Sequence, residues 1–231
     1  VIAGPCSIEI REQMEQVAKS LVRCHIPFIR GGAYKPRTSP YSFQGLGIEG
    51  LKILSEIGRQ YGLLTVSEIL DPRDVELGVK YLDLIQIGSR NMSNFSLLKE
   101  VGKTKKPVLL KRGYMSTVSE FLHAAEYIVS EGNTSLIMCE RGIRSFENST
   151  RNILDIAGIA LIQKETSLPV VVDLSHSLGR KDILPPVAKA VLAMGIDGIM
   201  LEVHPQPEYA LSDQQQQLNL DELDDFLQAL Y

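Results

Sequence analysis

Four residues of this chain, Cys6, His176, Glu202 and Asp213, carry the donors of a mixed metal site. One is a soft thiolate, one an imidazole, and two are hard carboxylates. That combination suits a borderline divalent ion, Mn, Fe, Co or Zn, and no zinc-finger spacing singles one out. A second group is cationic. Arg30, Arg90, Lys111 and Arg141 are spread along the chain, and in Tyr34-Lys35-Pro36-Arg37-Thr38-Ser39-Pro40 two cations, Lys35 and Arg37, flank a stiff proline and two hydroxyls, Thr38 and Ser39, follow. A guanidinium fork matches phosphate oxygens, so Arg37 with Thr38 forms a candidate phosphate grip. Taken singly, each feature also reads as ordinary structure. A rim arginine usually sits in a salt bridge, and the Tyr34–Pro40 segment reads as a solvated basic loop. His176 reads as a capping residue of the Asp173-Leu174-Ser175-His176 turn, Asp213 as a loop cap, and His204-Pro205 as a turn. Together the cations exceed what Glu68 and Glu140 can neutralise, and a ligand carrying both phosphate and carboxylate would satisfy the rest. No nucleophilic triad or Walker-type phosphate loop is apparent, and Gly45-Leu46-Gly47 reads as a turn.

These residues need elements that converge. Eight short apolar segments read as strands: Val1–Ala3, Phe28–Ile29, Leu63–Val66, Leu84–Ile87, Val108–Leu110, Leu136–Met138, Val170–Val172 and Ile199–Leu201. Just after them, in order, come Cys6, Arg30, Glu68, Arg90, Lys111, Arg141, His176 and Glu202. Amphipathic stretches at helical spacing lie between: Ile10–Arg23, Leu51–Tyr61, Phe95–Val101, Ser119–Ser130, Ile153–Thr166 and Pro186–Met194. Asp71-Pro72 reads as the capped start of a further short helix, and Gly62, Gly132 and Gly195 as helix stops. Alternating strands and helices imply parallel strands with crossover helices. The expected fold is α/β, a single (β/α)8 TIM barrel over residues 1–231, whose strand ends all open on the face where such barrels keep their active sites. An open doubly wound sheet is the alternative, but it gathers functional residues at switch points, not at every strand end. The long loops Gly31–Gly47 and His204–Asn219, the second ending in glutamines at Gln214–Gln217, read as functional.

Composition narrows the function. The formal net charge is −4, against general nucleic-acid binding, while the cations cluster at strand ends and Asp221, Glu222, Asp224 and Asp225 gather in the last helix. An acidic protein with a cationic pocket points to small anionic, phosphorylated ligands. No apolar run approaches the ~20 residues that span a bilayer, and no membrane association is expected. Three cysteines make no disulfide framework, so reduced thiols and cytoplasmic residence are expected, with Cys24 and Cys139 buried as small apolar side chains.

Several motifs together carry a resemblance. Ala3–Ser7 (AGPCS), Arg30–Gly47 (RGGAYKPRTSPYSFQGLG), Gln86–Asn91 (QIGSRN), Cys139–Gly142 (CERG) and Glu202–Pro205 (EVHP) closely resemble type I 3-deoxy-D-arabino-heptulosonate-7-phosphate (DAHP) synthases, of the shorter beta subgroup. The resemblance implies a metal-dependent condensation of phosphoenolpyruvate with erythrose 4-phosphate, the first step of the shikimate pathway. It implies Cys6, His176, Glu202 and Asp213 as metal ligands. It implies Arg30, Lys35, Ser89, Arg90, Lys111 and Arg141 as phosphoenolpyruvate contacts, Ser89 through its backbone N–H. Lys35, Arg37 and Thr38 would face erythrose 4-phosphate. Lys35, Cys6 and His176 are the expected catalytic residues, with Lys35 delivering a proton and Glu68 as its partner. A homodimer or homotetramer is expected, with no regulatory domain in the numbered chain. The chain departs from the family pattern at Ser89 (alanine expected), Leu174 (proline) and Gln214 (glycine). The nearest rival, 3-deoxy-D-manno-octulosonate-8-phosphate synthase, uses arabinose 5-phosphate and has asparagine after the lysine. Pro36-Arg37-Thr38 therefore favours the four-carbon sugar. A non-catalytic barrel that binds phosphorylated metabolites is the rival of another class.

Overall fold

Successive residues of a β-strand face opposite sides, so every second residue of a barrel strand points inward. The strands are β1 (Ile2–Gly4), β2 (Phe28–Arg30), β3 (Leu64–Glu68), β4 (Leu84–Ile87), β5 (Val108–Lys111), β6 (Leu136–Glu140), β7 (Val170–Asp173) and β8 (Gly198–Glu202). Each pairs in parallel with the next, and β8 pairs back to β1, with Ala3 opposite Leu201 and Gly4 opposite Glu202. The structure, a computed structural model, describes residues 1–230. The strand order closes as expected for a (β/α)8 barrel and excludes the open sheet.

Inside the barrel, Ile2, Val66, Leu84, Leu109, Cys139, Val171 and Met200 form one apolar layer, with Phe28 packed against it. Two residues further along the chain stand Arg30, Glu68, Gln86, Lys111, Asp173 and Glu202 on the same strands and Arg141 just past the end of β6. The inward face thus changes from apolar to charged within one step of the pleat, toward the C-terminal rim. Most strands run one or two residues further than the apolar runs, so Arg30, Glu68, Lys111 and Glu202 end strands rather than follow them.

The outer ring is α1 (Arg11–Arg23), α2 (Ile48–Tyr61), α3 (Val75–Tyr81), α4 (Phe95–Gly102), α5 (Val118–Val129), α6 (Ile156–Glu165), α8 (Leu184–Leu192) and α9 (Leu220–Leu230). Their apolar faces form the second core against the strands; in α1 these are Met14, Val17, Ala18 and Leu21. Each fully buried large aliphatic side chain contributes roughly 1.5–3 kcal/mol. Asp71 caps the turn at Pro72, accepting from the Arg73 N–H at 2.9 Å, and Gly62 ends α2 in the left-handed conformation, both as the sequence implies. α6 starts later than its periodicity suggests, because Asp155 caps it through the Gly158 N–H at 2.8 Å. A short α7 (Leu174–Leu178) was not expected; Asp173 caps it and makes the turn helical. Cys139 is buried as expected, whereas Cys24 is half-buried at the end of α1, its thiol donating to Asp224 Oδ1 at 2.9 Å. The end of α1 faces the acidic α9, so a polar contact replaces the expected apolar one. Among the described residues no helix is long and apolar enough to cross a membrane.

Candidate active site

The residues proposed to bind metal come from four places: the turn after β1, α7, the end of β8, and the loop before α9. One donor atom each from Cys6, His176, Glu202 and Asp213 lies within 4.8 Å of all the others. Cys6 Sγ lies 3.2 Å from Asp213 Oδ2, and His176 Nε2 lies 3.3 Å from Glu202 Oε1. Asp173 orients the imidazole, its Oδ2 lying 2.8 Å from His176 Nδ1. The shorter contact, to Asp173, favours the proton on Nδ1, and in that tautomer Nε2 turns its lone pair to the cluster. Burial pulls the His176 pKa below its ordinary value against the pull of Asp173, which favours this neutral, ligating form. Burial opposes ionisation of Glu202, but His176 and Arg30 override it and hold the carboxyl down at about 2. Asp213 is likewise held well down, burial being overridden by Arg151 and His176. Cys6 goes the other way: burial, with Glu202, pushes the thiol up to about 12. A soft donor that needs a cation to ionise, beside two ionised carboxylates and a neutral imidazole, fits a borderline divalent ion. Asp213 sits in the left-handed region (φ 48°), so the bend that aims it comes from Asp213 itself, just before Gln214.

The cations meet the cluster in one cavity of about 330 Å³, at the small end of the ~300–1,000 Å³ typical of ligand sites. Arg30, Lys35, Arg37, Thr38, Ser89, Arg90, Lys111, Arg141, His176 and Asp213 all line it, while Cys6 and Glu202 are fully buried behind. The cations are not equivalent. Arg30 pairs with Glu202 at 2.6 Å and Lys111 with Asp173. Among the described residues no carboxylate pairs with Arg37, Arg90 or Arg141. Lys35 Nζ donates to Cys6 Sγ at 2.9 Å and to the Cys6 carbonyl at 3.0 Å. Burial disfavours its charge, but Cys6 and Glu202 more than compensate and raise its pKa. Glu68 also lines the cavity; burial raises its pKa, and its Oε1 has no hydrogen-bond partner among the described residues. Gly88 packs on that carboxylate so closely that a Cβ there would lie 2.0 Å from Oε1. Glu140 does not neutralise the pocket. It accepts from Arg112 at 2.9 Å and from the Arg141 and Gly142 N–H groups at 3.1 and 2.6 Å, so it shapes the turn that carries Arg141.

Four contributors escaped the sequence reading. Asp173 and Gln86 were detectable, since each stands two residues beyond an inward apolar residue. Tyr114 and Arg151 carry no local signal. The Tyr114 ring lies under three guanidiniums, 4.6 Å from Arg141, 4.8 Å from Arg144 and 5.4 Å from Arg90. Arg151 lies 3.2 Å from Asp213.

Comparison with known proteins agrees with the barrel fold. The sequence matches the DAHP synthetase I family across residues 1–231. The chain belongs to that family. The phospho-2-dehydro-3-deoxyheptonate aldolase of Thermotoga maritima is 52% identical over 230 residues, covering 100% of this chain and 68% of the relative. A crystal structure of that DAHP synthase superposes with a TM-score of 0.95 over 98% of this chain and 66% of the other. A truncated form of the Thermotoga enzyme gives a TM-score of 0.91 at 48% identity, over 98% of this chain and 83% of that one. The 2-dehydro-3-deoxyphosphooctonate aldolase of Acidithiobacillus ferrooxidans is more distant, at 31% identity over 100% of this chain and 87% of the relative. The chain thus spans about two thirds of the length of the Thermotoga DAHP synthase it matches.

Proposed function

We propose that this chain condenses phosphoenolpyruvate with erythrose 4-phosphate to give DAHP and inorganic phosphate. One observation carries the reading: a single cavity joins a mixed thiolate, imidazole and carboxylate donor cluster to guanidiniums that no carboxylate of the described residues neutralises. In the reaction, carbon 3 of phosphoenolpyruvate bonds to the aldehyde carbon, water adds at carbon 2, and the carbon 2–oxygen bond to phosphate breaks. Arg90 and Arg141, two of the three cavity guanidiniums with no carboxylate partner among the described residues, take the phosphate and carboxylate of phosphoenolpyruvate, with Arg30, Lys35, Lys111 and the Ser89 N–H completing its site. They gain most where charge builds on the departing phosphate. Lys35, Arg37 and Thr38 face the sugar phosphate. Cys6, His176, Glu202 and Asp213 hold a divalent ion, whose chemistry when bound is Lewis-acid polarisation of the aldehyde oxygen. Lys35 keeps its proton in the free protein and delivers it to that oxygen as the new carbon–carbon bond forms; Glu68, its pKa raised by burial against the pull of Lys35, is the nearby partner. Within the family we place the chain in the beta subgroup on its motifs and expect a homodimer or homotetramer, readable by light scattering.

The test is phosphate release from phosphoenolpyruvate by chelator-stripped protein, with erythrose 4-phosphate or arabinose 5-phosphate, with and without manganese. Manganese-dependent release with erythrose 4-phosphate alone is expected. Release with arabinose 5-phosphate would move the chain to the octulosonate branch, and none with either sugar would refute the condensation.

A further inference from the structure

The glutamine run Gln214–Gln217 has no part in that reading, yet two of its members reach the donor cluster. Gln216 is buried. Its Nε2 donates to Glu202 Oε2 at 2.6 Å, and its Oε1 accepts from Arg151 Nη1 at 2.6 Å. The same Arg151 nitrogen lies 3.2 Å from Asp213 Oδ2. Gln217 is fully buried; its Oε1 accepts the Cys6 backbone N–H at 3.0 Å and its Nε2 donates to the Ser212 carbonyl at 2.8 Å. Arg151 is itself anchored to the helix that carries His176. Its N–H donates to the Leu178 carbonyl at 2.9 Å, and Asn152 Nδ2 donates to the His176 carbonyl at 2.8 Å. Each of the four candidate ligand residues is therefore contacted by Gln216, Gln217 or the Arg151-Asn152 pair, Glu202 and Asp213 at the carboxylate and Cys6 and His176 at the backbone.

The chemistry of the side chain explains why amides stand here. A carboxamide both donates and accepts without bringing charge. A carboxylate at 216 would add repulsion to Glu202 and Asp213, and an aliphatic side chain would leave Glu202 Oε2 without its donor. Adjacent residues of an extended segment face opposite ways. Gln217 has extended backbone (φ −77°, ψ 131°), which lets neighbouring amides reach two different ligand residues, Glu202 at its carboxylate and Cys6 at its backbone N–H.

We propose that Gln216 and Gln217, with Arg151, are positioning residues that preset the Cys6–His176–Glu202–Asp213 cluster and so set its affinity for a divalent ion. The proposal rests on the reading that this cluster holds the ion. Groups that orient metal ligands typically contribute about 10- to 100-fold in affinity. The experiment titrates chelator-stripped protein with cobalt(II), following the thiolate-to-cobalt absorption that reports Cys6, in the parent chain and in Gln216→Met, Gln217→Met and Arg151→Lys. Melting of the metal-free proteins runs in parallel. The expected result is a cobalt Kd raised about 10- to 100-fold in the methionine variants. Arg151→Lys, which keeps the charge but loses the fork, gives a smaller rise, with metal-free melting unchanged. Cobalt affinity equal to the parent in folded variants overturns the proposal. If the methionine variants do not fold, the partly exposed Arg151→Lys decides alone. A parent chain that binds no cobalt overturns the underlying reading as well, and is thereby told apart from failure of this one.

Discussion

Replacing Lys35 by methionine separates proton delivery from metal binding. Methionine keeps most of the length of the side chain and removes its charge and its proton. Lys35 Nζ stands 2.9 Å from Cys6 Sγ, inside the cavity and beside the donor cluster, and among the described residues it is the one cation that touches the thiol. Its pKa is raised by Cys6 and Glu202 against burial, so the ammonium is populated at neutral pH and available as an acid. Positioned general acids contribute about 100- to 10,000-fold, or ~3–5 kcal/mol of barrier. None of the four donor residues is altered, so the variant is expected to bind one divalent ion per chain while kcat falls by that factor. The assay is phosphate release at saturating concentrations of both substrates, with bound metal measured on the same sample. A kcat within about tenfold of the parent, with metal bound, would refute proton delivery by Lys35. A large loss of kcat together with loss of metal would show that the ammonium acts by steadying the Cys6 thiolate instead.

Three further outcomes follow from named contacts. Tyr114→Leu removes the ring beneath Arg90, Arg141 and Arg144, and should raise KM for phosphoenolpyruvate by about 5- to 30-fold (~1–2 kcal/mol) with a smaller change in kcat; an unchanged KM would sink the platform role. Glu140→Ala strands the Arg141 and Gly142 N–H groups and half of the Arg112 pairing in a fully buried site, and should cost ~3–5 kcal/mol in urea unfolding at unchanged m; a loss below ~1 kcal/mol would contradict it. Glu222 pairs with Lys181 at 2.7 Å and accepts the Asn219 N–H at 2.8 Å at the start of α9, and these bonds lower its pKa against partial burial. A depressed carboxyl pKa contributes stability above the unfolded value, near 4.5, that is lost as pH falls through the folded value. Glu222→Gln should therefore lower the melting temperature at pH 7 and leave it unchanged once the parent's carboxyl is protonated; a difference that persists there would contradict the linkage.

Much of this site was legible along the chain because a barrel strand has a period of two. Arg30, Glu68, Lys111, Arg141 and Glu202 each stand two residues beyond an inward apolar residue, and closure of the sheet needs only that pattern repeated eight times. The alternation of strands and amphipathic helices determined the architecture for the same reason: it is local, and hydrophobic burial enforces it. Helix starts were less legible. Whether Asp155 or Asp173 caps a helix depends on where its loop is held, as the late start of α6 and the unexpected α7 show.

The sequence also determined which donor and cation types are present, from Cys6 to Asp213. It left Arg30, Lys111, Arg90 and Arg141 looking alike. Only the tertiary structure decided that Arg30 and Lys111 are neutralised by Glu202 and Asp173 while Arg90 and Arg141 lie on Tyr114 with no carboxylate partner among the described residues. Arg30 and Glu202 are 172 residues apart, and Arg151 and Gln216 are 65 apart. Pairings at such separations have no periodicity to read. They exist because closing β8 onto β1 and folding two long loops over the rim bring buried charges together, and a buried charge must find a partner or await a ligand.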